Sequence, residues 1–156
     1  MTTNSELEVA TLLERLERLE TAEAARELIA RYALALDHRD YPALTDLFTE
    51  DAVVHAGGET FTGREAVMGF FRHAMEVLDP SDKKHLMMNH RVRHLAPGEV
   101  QVDSYFLYTA IGEQSVLGWG SYADVVRTCD DGMARFAAKE IVVDVAADVR
   151  QGWARS

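Results

Sequence analysis

Asp37 and His85 are the pair with the most chemistry to offer, provided their side chains meet. A carboxylate that accepts a hydrogen bond from one imidazole nitrogen fixes the tautomer and leaves the other nitrogen as a base near neutral pH. On a helical wheel drawn from Thr21 onward, Ile29, Tyr32, Ala33 and Leu36 share one arc. Ala30 and Leu34 extend that arc, while Glu27, Arg31 and His38 mark the solvent side. Asp37 falls between Ala33 and Leu34, inside the apolar sector. A carboxylate buried there needs a partner, because unpaired burial is costly. The other reading is that Asp37 sits at a fraying helix end and reaches water. Arg26 has a similar azimuth but lies about 16 Å earlier along the axis, out of reach. His85, at the start of a segment with strand character, is the best candidate partner.

Period-two alternation places His85, Met87, Asn89 and Arg91 on one face, and Leu86, Met88, His90 and Val92 on the other. The Leu86 face is the more apolar, so a simple core assignment turns His85 outward. Only a sheet covered on both faces, or a bulge before Arg91, lets His85 point into a cavity. Tyr32 lies one turn before Leu36 and faces the expected core. Phe106 and Tyr108 share a strand face, as do Gly118, Gly120, Tyr122 and Asp124. A tyrosine beside a cavity can polarise a substrate oxygen, although most aromatics at such spacing are plain core. The two glycines flanking Trp119 either thin the sheet beside a ligand or relieve its twist. His90 and His94 share a face without a third ligand, so a zinc site is not expected. No nucleophile elbow, phosphate loop or dinucleotide fingerprint occurs.

The elements that must hold these residues follow from composition. Residues 5–38 lack proline and glycine and are rich in alanine, leucine, glutamate and arginine, which predicts helix. Ser5 and Glu8 have capping-box spacing, and Thr21 is a possible cap for a second helix. Leu12, Leu16 and Leu19 form an apolar stripe that could pack on a second subunit or on the chain's own core. Pro42 opens a further short helix. Strands are expected at 52–55 and 59–61 around Gly57 and Gly58. A helix over 64–78 carries Val67, Phe70, Phe71, Met75 and Leu78 on its apolar side, until Pro80 breaks the pattern. Long strands follow at 85–95, 99–111, 115–128 and 133–149, separated by turn-like residues. Helices first and a meander afterwards is an α+β pattern. The expected architecture is a cone: a curved antiparallel sheet packed against N-terminal helices around a cavity.

Composition narrows the class. The 156 residues suit one domain, taken as 1–156, with residues 1–20 as a helical extension. A net charge of -10 and a pI near 5.0 argue against nucleic acid and against an anionic membrane surface. Cys129 is the only cysteine, so no intrachain disulfide can form. With no signal-like start and no long apolar run, a cytoplasmic location is expected.

Three segments carry a resemblance. Arg31-Tyr32-Ala33-Leu34-Ala35-Leu36-Asp37-His38, within the stretch 25–51, resembles the opening of SnoaL-like proteins in the nuclear transport factor 2-like superfamily. The stretch from Phe61 to Phe71 looks like their next helix, and His85-Leu86-Met87-Met88-Asn89 like their first long strand. The likeness covers roughly residues 20–147 and implies a cystatin-like α+β barrel or cone. Within the superfamily it is nearest to the scytalone dehydratase, hexachlorocyclohexane dehydrochlorinase and bile-acid 7α-dehydratase group. In those enzymes an aspartate ending the long helix orients a histidine on the first long strand, without metal or organic cofactor. Asp37 and His85 match those two positions. Tyr32 matches a pocket tyrosine of the bile-acid enzyme. Two departures stand out: an ungapped match puts Ala110 where scytalone dehydratase has a second histidine, and Asp148 where the bile-acid enzyme has an arginine.

The resemblance implies a cofactor-independent lyase, dehydratase-like, or a related isomerase or cyclase acting on an apolar cyclic or polyketide-like small molecule. His85 and Asp37 are then the catalytic pair. Tyr32, Asn89, Phe106, Tyr108 and Phe71 are expected to bind substrate. A homo-oligomer, trimer or dimer, is expected. The alternative is a non-catalytic ligand-binding or assembly module resembling the small subunit of aromatic-ring dioxygenases.

Overall fold

A computed structural model describes residues 4–153. Helix α1 (Asn4–His38) is continuous over 35 residues. The expected break at Thr21 does not occur. The segment offers no helix breaker, and the Thr21 hydroxyl donates to the Glu17 carbonyl at 2.8 Å, inside the helix, rather than capping a new one. From Ala25 the helix buries Leu28, Ile29, Tyr32, Ala35 and Leu36, at the three- and four-residue spacing of one face. In its first half Leu12, Leu16 and Leu19 are exposed.

Backbone geometry fixes where α1 stops. Arg39 takes a left-handed conformation (φ 52°), and Asp40 N–H donates to Ala35 O at 2.9 Å while Arg39 N–H donates to Leu36 O at 3.0 Å. That is the Schellman pattern, reached here without glycine. Asp37 therefore lies in the last turn, where the chain turns away. The Asp40 carboxylate caps α2 (Tyr41–Asp46) by accepting from Ala43 N–H.

Strands β1 (Phe48–Ala56) and β2 (Glu59–Thr62) form a hairpin across Gly57 and Gly58, both at positive φ as a type I′ turn requires. Helix α3 (Arg64–His73) buries Val67, Met68 and Phe71 and runs into a π-helical turn, Ala74–Leu78. Then come β3 (Asp82–Ala96), β4 (Glu99–Ile111), β5 (Ser115–Thr128) and β6 (Ala134–Asp148). The sheet order is β2-β1-β6-β5-β4-β3. Its strands pair antiparallel except β1 with β6, which are parallel. The expected curved sheet packed against N-terminal helices is present; it is mixed rather than wholly antiparallel and stays open, with β2 and β3 as its edges. The N-terminal helices and α3 fill its concave side, and Tyr32, Phe48, Phe71 and Phe136 meet in the core. No described helix is long and apolar enough to cross a membrane.

One irregularity decides which way His85 faces. Pairing of β3 with β4 shifts between Met88 and Arg91, and Asn89 sits at φ 58°. This bulge inverts the alternation: Lys83, His85 and Met87 turn inward before it, His90, Val92 and His94 after it. Val92 therefore packs against the core, on the face opposite to Leu86 and Met88, with which simple alternation had grouped it. Asn89 is exposed, so its expected role in substrate binding is corrected to a backbone one. Asparagine tolerates the left-handed region that a β-branched residue does not. Asn89→Val is expected to cost about 1–2 kcal/mol. The melting temperature should fall by roughly 2–8 °C in circular dichroism, while Asn89→Gly melts no lower than wild type.

Candidate active site

The end of α1 and the start of β3 bring Asp37 and His85 together. His85 Nδ1 lies 2.7 Å from Asp37 Oδ1, with the two side chains only 12% and 6% exposed. The backbone N–H of His85 also donates to both carboxylate oxygens, each at 3.2 Å. The carboxylate thus holds the strand as well as the ring. An ionised carboxylate only accepts, so Nδ1 carries the proton and Nε2 keeps a lone pair.

Both residues line a cavity of about 290 Å³. Its wall is aromatic: Tyr32 from α1, Phe70 and Phe71 from α3, Phe106 and Tyr108 from β4, Tyr122 from β5. Met75 from the π-helical turn and Ile141 from β6 add to the apolar lining. The Tyr108 ring lies 5.7 Å from the imidazole, centroid to centroid. Gly118 and Gly120 explain how that wall packs. A Cβ at Gly118 would overlap the Tyr108 ring, and one at Gly120 would strike the Phe106 ring and the Val142 carbonyl. The glycines leave room for two cavity-lining rings to pack against β5.

The mouth is polar. Arg39 donates to the carbonyls of Pro80 and Ser81, and Lys83 donates to the Asp79 carbonyl and carboxylate, each at 2.9 Å. Burial pushes the Asp79 carboxyl up, but the hydrogen bonds from Lys83 and Ser81 outweigh it and hold the group below its ordinary value. Tyr108, by contrast, is raised by burial and by the charge of Asp79.

Of the residues expected to bind substrate, Tyr32, Phe71, Phe106 and Tyr108 line the cavity and Asn89 does not. Asp148 pairs with Arg150 at 2.6 Å, and Ala110 is buried; neither borders the cavity. Sequence reasoning missed Lys139. Its Nζ donates to both oxygens of Asp124 at 2.9 Å, directly behind the tyrosine wall, and both side chains are fully buried. Burial drives the Asp124 carboxyl up and the Lys139 ammonium down, since both charges lose their water. The one available signal was Asp124 itself, which shares the Gly118-Gly120-Tyr122 face.

Residues 17–137 match the SnoaL-like domain family. In three dimensions the chain is similar to a candidate scytalone dehydratase from Novosphingobium aromaticivorans, with a TM-score of 0.75 at 23% identity over 85% of this chain and 89% of that one. A hexachlorocyclohexane dehydrochlorinase, LinA-type3 from Novosphingobium barchaimii, gives 0.74 at 21% identity over 86% and 94%. A protein with a cystatin-like fold from Nostoc punctiforme gives 0.65 at 24% over 85% and 92%. At such identities the likeness establishes the fold. The comparison with curated proteins finds no match.

Proposed function

The chain belongs to the SnoaL-like family, and from that premise we propose that it is a lyase of the dehydratase kind, or a related isomerase or cyclase. It acts without metal or organic cofactor on an apolar cyclic or polyketide-like small molecule. The observation that carries this reading is the Asp37–His85 hydrogen bond at the wall of an apolar cavity. His85 Nε2 takes a proton from carbon next to a carbonyl. Asp37 stabilises the imidazolium that forms, and the imidazolium returns the proton to the departing oxygen, or to another carbon in an isomerisation. Removal of water from the cavity strengthens each of these interactions.

The test uses a panel of bicyclic β-hydroxyketones, whose dehydration to enones is followed by ultraviolet absorbance. Wild type is expected to form enone above the spontaneous rate. Asp37→Asn is expected to lower that rate by about 10²-fold or more, because its amide can favour the wrong imidazole tautomer. A panel untouched by the wild-type protein would remove dehydration from the reading.

The protein is also proposed to form a homo-oligomer. The outer sheet face exposes Leu86, Met88, Tyr105 and Val142, and α1 exposes its leucine stripe. Apolar surface of that kind is commonly covered by a subunit. Light scattering at micromolar concentration is expected to give a multiple of 17.4 kDa; the monomer mass would refute it.

A further inference from the structure

Proton removal next to a carbonyl leaves negative charge on the carbonyl oxygen, and the base alone does nothing for that charge. Three phenols reach the cavity: Tyr32, Tyr108 and Tyr122. The Tyr32 and Tyr122 rings stand 5.9 Å apart, edge to face at 88°. Tyr122 lines the same cavity wall as Asp37, His85 and Tyr108, which puts it on the side of the base. Burial raises Tyr122 far above its ordinary value, so the hydroxyl keeps its proton and serves as a donor.

Behind this phenol lies the buried ion pair. Lys139 Nζ sits 3.9 Å from the centroid of the Tyr122 ring and 4.3 Å from that of Tyr32. It also meets Asp124 and the Phe136 ring, so the cation faces a carboxylate and aromatic surfaces. An ion pair removed from water is a weak source of stability. A cation held over a phenol ring does something else: it fixes the ring and draws electron density from it, which makes the O–H a stronger donor. Phe106, stacked on Tyr122 at 4.5 Å, restricts the ring further.

We propose that Tyr122 is the oxyanion donor of this site, positioned by the Lys139–Asp124 pair. The proposal rests on His85 as the base. The C–H electron pair forms the new C=C bond while the carbonyl π pair moves to oxygen, where Tyr122 donates a hydrogen bond without giving up its proton. Return of the carbonyl then expels the β-hydroxyl as water, its second proton coming from the His85 imidazolium. Enone and water balance the substrate. Tyr122 is catalytic in this scheme, and Lys139 and Asp124 are positioning residues.

The test uses 2-naphthol, a planar enol analogue whose naphthol and naphtholate forms emit at different wavelengths, so binding needs no turnover. Wild type is expected to bind it, and Tyr122→Phe to weaken binding about tenfold, the value of one strong hydrogen bond. The double variant Asp124→Leu/Lys139→Met is expected to weaken it by about threefold to tenfold. When Tyr122→Phe is already present, the same double change should weaken it by less than about twofold, because the pair acts through that hydroxyl. No binding by wild type, or an unchanged affinity in Tyr122→Phe, overturns the proposal. Equal losses with and without Tyr122→Phe overturn the positioning role. If the double variant does not fold, the Tyr122→Phe arm still decides the donor, and Lys139→Arg, which keeps a cation beside Asp124, is expected to bind as wild type does. An active His85→Ala protein would overturn the base and leave the naphthol result standing; an unaffected Tyr122→Phe would do the reverse.

Discussion

Replacing His85 with alanine is expected to lower turnover by about 10²–10⁴-fold, the usual worth of a positioned general base. The fold should survive the change. Asp37 loses its 2.7 Å partner but keeps the backbone N–H of residue 85 at 3.2 Å, so its carboxylate is not orphaned. The lost imidazole borders the cavity, where the removed volume adds to space already present. Enone assays and circular dichroism melts run side by side separate the two effects. A pair that served structure alone would lower the melting temperature, and activity would fall only with the folded fraction. Full turnover in a folded His85→Ala protein would end the lyase mechanism and leave a ligand-binding or assembly module, for which the exposed face of the sheet is available.

The parts of this site that could be read from sequence are those governed by local periodicity. The helical wheel put Asp37 in an apolar sector because α1 is regular through Leu36, and the structure buries it there. Strand alternation succeeded for Phe106 and Tyr108 on the regular β4 and failed wherever a register shift intervened. The bulge at Asn89 exposes that residue and turns Val92 inward, and nothing in the polarity of the segment announces it; asparagine's tolerance of positive φ is the only mark. Lys139 was missed for the same reason. Phe136 and Lys139 are both fully buried though three residues apart, an odd spacing that period two forbids. The pairing shift opposite Val125 and Val126 supplies the extra residue. The parallel β1–β6 pairing was equally out of reach, since a strand's own pattern does not name its neighbour.

That buried pair gives the largest expected effect on stability. Lys139→Met removes the cation and leaves the Asp124 carboxyl, fully buried, without the ammonium it pairs with. Breaking a buried pair from one side is expected to cost about 3–5 kcal/mol, which corresponds to a fall in melting temperature of roughly 6–20 °C for a chain of this size. Removing both charges together, as Asp124→Leu/Lys139→Met, should restore most of that loss, because no uncompensated charge remains in the core. The pH dependence separates this cause from simple mispacking. Burial raises the Asp124 carboxyl even with Lys139 beside it, and more so without it. The folded single variant therefore binds a proton that the unfolded chain releases at lower pH, and its stability relative to wild type falls as pH rises from the unfolded carboxylate value through the raised folded one. Melts at pH 5 and pH 8 are expected to show Lys139→Met closer to wild type at the lower value, and the double variant equally close at both. A Lys139→Met deficit that does not change with pH would mean that lost packing, rather than a stranded carboxylate, sets the stability of this core.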